Sequence, residues 1–217
     1  MRQTILAGPP AQPVALALLA DLKADLGVTD DAQDSRLTTL LLDASDMVRT
    51  YIGRPILSAT WRDVIELGPD EKCIGLTLGR CPVTAITAFS ARGEAWSADA
   101  IGTLGQNSGA GMVFPPDGGP AMWRAGRYVV TYQAGWVAPS VGDDGKADPG
   151  TLPRSIQQAT RLTAAALWHA SGRDPLLRSE SEQGVGSSSW GSSAPGVGGL
   201  PQAAADVLRG LGGVGVR

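Results

Sequence analysis

The chain has 217 residues, of which 18% are charged and 43% hydrophobic, with 29 glycines, 15 prolines and a formal charge of −3. That length buries a real core, and the turn-rich composition implies many short elements. A mildly acidic balance lacks the phosphate-gripping lysines and arginines of a repressor or nuclease.

Residues 1–13 contain Gly8-Pro9-Pro10 and Pro13 and read as an extended arm whose use is contact, since it has no core of its own. From Val14 to Leu26, Leu19, Leu22 and Leu26 share one face and Gly27 ends a first helix. Thr29, Asp30, Asp31 and Asp34 then supply capping oxygens and first-turn negative charge to a second helix. The acidic cluster lacks the alternating ligands, turn glycine and terminal glutamate of a calcium loop.

The second helix is the most regular stretch, DSRLTTLLLDASDMVRTYIGRP. Leu37, Leu40, Leu41, Ala44, Val48, Tyr51 and Ile52 recur at intervals of three and four, while Asp43, Asp46 and Arg49 fall outside the stripe. Gly53 suits the left-handed position after a helix, and Pro55 cannot continue the ladder.

At Ile56 the period changes to two. Trp61-Asp63-Ile65, Ile74-Leu76-Leu78, Val83 to Phe89 and Tyr128-Val130-Tyr132 read as strands separated by Gly- and Pro-bearing turns. An antiparallel meander or small barrel is expected, inserted between two helices with its ends close together. Trp61 and Trp136 read as sheet anchors rather than a sugar-stacking face. Cys73 and Cys81 bracket IGLTLGR; a disulfide across neighbouring strands is one reading and free buried thiols the favoured one.

A third helix, about Pro153 to Ser171, carries Ile156, Ala159, Leu162, Thr163, Ala166, Leu167 and Ala170, with Pro153 in its first turn, and should be central, packed on helix two. Residues 180–199 are rich in Ser and Gly and read as a flexible tether. Pro201 to Leu211 regains helical character, and Val207, Leu208 and Leu211, together with Trp190 in the tether, are the candidate partner-docking residues.

The sequence offers little catalytic chemistry. One histidine, His169, cannot build a zinc site or serve a Ser-His-Asp or Cys-His nucleophile without further partners. Neither glycine run carries a P-loop lysine. The expectation is no enzyme, no metal, no cofactor and no membrane span, in a protein made in the cytoplasm.

The order of these segments resembles a family. LADLKADLGV, a helix ending in Tyr51-Ile52-Gly53-Arg54-Pro55, strands ending in Tyr132-Gln133-Ala134-Gly135-Trp136, and a helix opened by Pro153 look like the head-tail adaptor (connector) proteins of long-tailed bacteriophages and gene transfer agents. Leu37, Leu41, Tyr51, Gly53, Arg54, Pro55, Tyr132, Gly135, Trp136 and Pro153 carry the likeness. It implies an α+β fold: a helical core of three main helices with a β-rich insertion and a C-terminal arm. The division expected is 1–55 arm and helices one and two, 56–136 insertion, 137–173 loop and helix three, and 174–217 docking arm.

By the same resemblance the protein sits in the virion beneath the portal protein, above a stopper or tail-completion protein, in a ring of about a dozen copies. Genomic DNA would pass through the bore without specific binding, past acidic residues such as Asp143 and Asp144 or Asp30, Asp31 and Asp34. A tail-completion or stopper protein of the same neck and a carbohydrate-binding virion module are the alternatives.

Overall fold

Glycine sets one end of the longest helix. In the computed structural model Gly53 takes φ 68° and its N–H caps the Arg49 carbonyl, so the helix stops at Ile52. The structure describes residues 1–8, 14–116, 119–171, 179–182, 186–189 and 199–210. The elements in order are β1 (Arg2–Leu6), α1 (Leu19–Leu26), α2 (Asp34–Ile52), β2 (Ala59–Leu67), β3 (Leu76–Thr77), β4 (Val83–Ala91) and β5 (Glu94–Ala95). There follow α3 (Ala98–Gly102), β6 (Gly105–Asn107), β7 (Met112–Phe114), β8 (Gly126–Ala134), β9 (Ser140–Val141), β10 (Ala147–Asp148), α4 (Arg154–Ala170), β11 (Ser179–Glu182), β12 (Gly186–Ser189) and α5 (Gln202–Leu208). The fold class is α+β.

These elements form two units, residues 1–12 with 56–136, and residues 13–55 with 137–217. The first is β-rich. Its main sheet has the order β1-β2-β8-β4-β5, antiparallel throughout, and a smaller sheet has the order β3-β7-β6. This is no meander, because β2 pairs with β8 from the far end of the insertion, with Trp61 opposite Tyr132 and Ile65 opposite Tyr128. The inner face presents Trp61, Ile65, Phe89, Tyr128, Val130 and Tyr132 to Leu76, Leu104, Val113 and Trp123. Phe89, Trp96, Trp123 and Tyr128 form an aromatic group with ring centroids 4.8–6.4 Å apart.

Residues 2–6, expected as a free arm, are instead the edge strand β1 on β2, with Ile5 opposite Arg62 and Leu6 opposite Trp61. Backbone pairing gives this short segment the partner that its own sequence could not reveal. The two thiols are free and only half-buried.

In the second unit α4 packs on α1, α2 and α5. Leu22, Leu37, Leu41, Ala44 and Ala164 are buried together. The first helix starts at Leu19 rather than Val14, since the Leu16 N–H donates to the Ser45 Oγ of α2 (3.0 Å) instead of entering a helix. Pro153 precedes α4 as its capping residue, one position earlier than expected, and its carbonyl accepts from the Ile156 and Gln157 N–H groups.

Of the acidic residues expected at the start of α2, Asp34 lies in its first turn, but none caps the helix; the residue at the cap is Gln33, with no side-chain bond. Lys23 Nζ of α1 donates to Asp31 (2.6 Å) and Asp34 (2.7 Å), and these bonds raise the lysine's pKa and lower that of Asp31. Arg161 of α4 reaches Asp25 (3.1 Å) and Asp21 (3.6 Å) of α1. Charge therefore links α1 to both neighbouring helices at its exposed face.

The last helix corrects another expectation. Ala204, Ala205 and Leu208 of α5 are buried, Leu208 to 1% exposure, as is Leu200 just before it. A short apolar helix is stable when it has a surface to cover, and α4 supplies one. Replacement of Leu208 by Ala should therefore cost about 2–5 kcal/mol, as for other buried leucines, measured by denaturant unfolding; a side chain held out for a partner would cost almost nothing.

Candidate functional site

Among the described residues no group of three or more His, Cys, Asp or Glu side chains could hold a metal ion. His169 lies exposed in the last turn of α4. Burial, then the charge of Glu71, pushes the Cys73 thiol above its ordinary pKa, which keeps it protonated and weakly nucleophilic. No described helix is long and apolar enough to cross a membrane.

What the sequence signatures build is structural. The insertion leaves at Ile56 and returns at Trp136, and these points pair directly: Trp136 N–H donates to the Ile56 carbonyl (2.9 Å) and Ser58 N–H to the Trp136 carbonyl (2.8 Å). Gly135 takes φ 116°, and a Cβ there would lie 2.5 Å from the Leu57 carbonyl oxygen. Only glycine lets the two strands close at this junction. Leu37 and Leu41 lie in the helical core, Tyr51 and Arg54 are half-buried at the end of α2, and Pro55 is exposed beside Gly53. Trp61 is a buried anchor of the sheet and Trp136 is half-buried.

One group the sequence reading placed in the strand pattern without assigning it a role is Asp63. It faces inward between Trp61 and Ile65 and has 0% exposure. Its carboxylate accepts from the Gly79 N–H (2.6 Å) and from the Tyr132 hydroxyl (3.1 Å), and that hydroxyl accepts from the Arg80 N–H (3.1 Å). Arg80 stacks its guanidinium 4.7 Å from the centre of the Trp61 ring. The carboxylate thus ties the Gly79-Arg80 turn onto β2 and β8. The signal available in the sequence was an acid at an inward position of an alternating strand, which demands buried donors.

Of the docking candidates, Val207 is half-buried and Leu208 is occupied within its own unit, while Trp190 and Leu211 lie outside the described residues. Within the segment expected as a tether, β11 and β12 pair antiparallel, Ser179 opposite Ser189. Exposed apolar side chains occur elsewhere, at Ile74, Met122, Val137 and Val141.

Residues 17–77, which span α1, α2, β2 and β3, match the model of the phage gp6-like head-tail connector protein family. Over this stretch the chain resembles a head-tail connector. Among solved structures, a chain from the neck of an empty gene transfer agent (GTA) particle computed with C6 symmetry is 18% identical, covers 94% of each chain and has a TM-score of 0.43. A chain from the virion of a native GTA particle is 19% identical over 92% of this chain and 93% of its own, with a TM-score of 0.45. A chain from the neck of a native GTA particle computed with C12 symmetry is also 19% identical, over 92% of this chain and 94% of its own, with a TM-score of 0.42. Likeness at this level carries no information about function. No curated protein matches the sequence.

The Asp63 network has a measurable consequence. Burial, then the charge and hydrogen bond of Asp63, raise the Tyr132 phenol well above its ordinary value near 10. A raised pKa in the folded state means stability that is complete below pH 10 and lost as pH climbs above it. The unfolding free energy should therefore fall above pH 10. In Tyr132→Phe it should be about 1–3 kcal/mol lower at pH 7 but decline less steeply above pH 10, as denaturant titrations across pH 7–11 would show.

Proposed function

We propose that this chain is a non-enzymatic structural component of the neck of a tailed particle. The observation that carries the reading is the connector-family match over residues 17–77, a segment that in this chain holds two core helices and the first strands of the insertion. The finer assignment is a head-tail adaptor: copies arranged as a ring beneath the portal protein, with a stopper or tail-completion protein on the other side. The long helices α2 and α4 favour the adaptor over an all-β stopper.

The physical properties suit that task. A ring around a DNA path must bind its neighbours and leave the polyanion free to slide, and a chain with formal charge −3 offers little overall attraction to phosphate. Asp21 and Asp25 of α1 and Asp31 and Asp34 at the α2 entrance are matched by Arg161 and Lys23, so they serve helix packing before any field inside a bore. The partners in this reading are the portal protein, the next neck protein and further copies of the chain.

Deletion of the gene from the particle that encodes it tests the assignment. The expected result is an accumulation of heads and separate complete tails, with tailed particles reduced at least a hundredfold and restored by the wild-type gene. Normal numbers of tailed particles in the deletion would overturn it.

A further inference from the structure

The β-rich unit carries an open groove of about 540 Å³ whose lining includes Arg92, Glu94, Trp96, Met122, Trp123, Arg124 and Tyr128, so that two cations outnumber one carboxylate. Trp123 and Tyr128 form its floor and are fixed: the Trp123 Nε1–H donates to the Val113 carbonyl (2.9 Å) and the Tyr128 hydroxyl to the Arg124 carbonyl (2.6 Å). Met122, 42% exposed, gives the rim an apolar, adaptable side chain. Arg92 and Arg124 are both exposed, and neither forms an ion pair with an acidic residue among the described residues. Arg92 occupies the tight turn between β4 and β5 at φ 55°, a conformation unusual for a residue with a side chain, and Gly126 leaves room for its stem, since a Cβ there would sit 2.9 Å from Arg92 Cγ. An aromatic floor between two such cations fits an acidic segment that also carries a small apolar side chain.

The chain itself contains such a segment. The β9–β10 hairpin is held by bonds from Gly142 N–H to the Lys146 carbonyl and from Lys146 N–H to Asp144 Oδ1, with Gly145 at φ 74° in the turn. This stiff tip presents Asp143 and Asp144, both exposed, next to Val141, which is 61% exposed and among the most open apolar side chains described. Lys146 lies 3.6 Å from Asp144 and offsets part of that charge, leaving Asp143 as the acid with no cation beside it among the described residues. The tip is therefore acidic, apolar and preorganised, the complement of the groove.

We infer that the Asp143–Asp144 hairpin of one copy seats in the Arg92–Arg124 aromatic groove of the next, with Val141 against Met122 and Trp96. The contact joins two different surfaces, so it is heterologous and can repeat from copy to copy around a closed ring. It rests on the neck reading above and assigns the acidic pair to the contact between copies in place of the bore. The pairing also gives the ring a defined direction, because the groove of each copy accepts only the hairpin of one neighbour.

A charge swap tests the contact in the gene deletion complemented by variants. Arg92→Glu with Arg124→Glu should lower tailed-particle yield at least tenfold, and Asp143→Lys, which leaves the Asp144 carboxylate holding the hairpin, should do the same. The three changes in one chain should restore the yield to within about threefold of wild type, because only a direct pairing is rescued by exchanging its signs. Normal yield from either reversal alone, or no recovery in the triple variant, overturns the contact. Should a reversed protein melt below wild type, Arg92→Gln with Arg124→Gln takes its place, and an unchanged yield from that variant is equally decisive against it. A deletion that leaves tail joining intact would instead refute the neck reading, whatever the swap shows.

Discussion

The β-rich unit depends on one closure. Its chain enters at Ile56 and leaves at Trp136, eighty residues later, and the two points are hydrogen-bonded to each other. The closure is possible because Gly135 has no Cβ to meet the Leu57 carbonyl, and it aligns β2 and β8 from the first residue of their register, Ala59 opposite Ala134. From that start Trp61 meets Tyr132 and Ile65 meets Tyr128, which places the large inward side chains of β2 and β8. A one-residue slip would turn that set outward and expose the Asp63 network, so register and closure stand or fall together. The tethered ends also explain how a helical core tolerates so large an insertion, since the unit begins and ends at one place.

Within that frame the polar core fixes what apolar packing leaves loose. A buried carboxylate is costly unless its oxygens are satisfied, and Asp63 is satisfied by a backbone N–H of the Gly79 turn and by the Tyr132 hydroxyl. The smaller sheet begins at Leu76 and Thr77, immediately before this turn, so the same carboxylate helps set how the two sheets of the unit face each other. In the helical unit the corresponding devices are the Ser45 hydroxyl, which accepts from Leu16 and donates to Leu41, and the ion pairs of Lys23 and Arg161. Such bonds supply orientation where small residues such as Ala44 and Ala164 supply close approach.

Local pattern was readable and remote pairing was not. The bounds of α2 and α4 followed from period and from terminal Gly53 and Pro153 because helical periodicity is carried by neighbours in the chain. The long strands β2, β4 and β8 were legible for the same reason, through alternation. Their order was hidden, because pairing β2 to β8 and β1 to β2 is settled by contacts between residues 55 to 75 positions apart. Amphipathicity likewise marked the apolar face of α5 without telling whether α4 or a foreign surface would cover it; Leu208 shows that the chain covers it itself. The acids at Asp31 and Asp34 looked like caps because capping and ion pairing ask for the same side chain, and only the position of Lys23 separates the two.

The most direct measurement is a reconstruction of the neck of the particle whose genes include this one. Density for this chain is expected as a cyclic ring between portal and tail, with the β-rich unit of each subunit touching its neighbour. A neck built without this chain, or the chain found elsewhere in the particle, would contradict it.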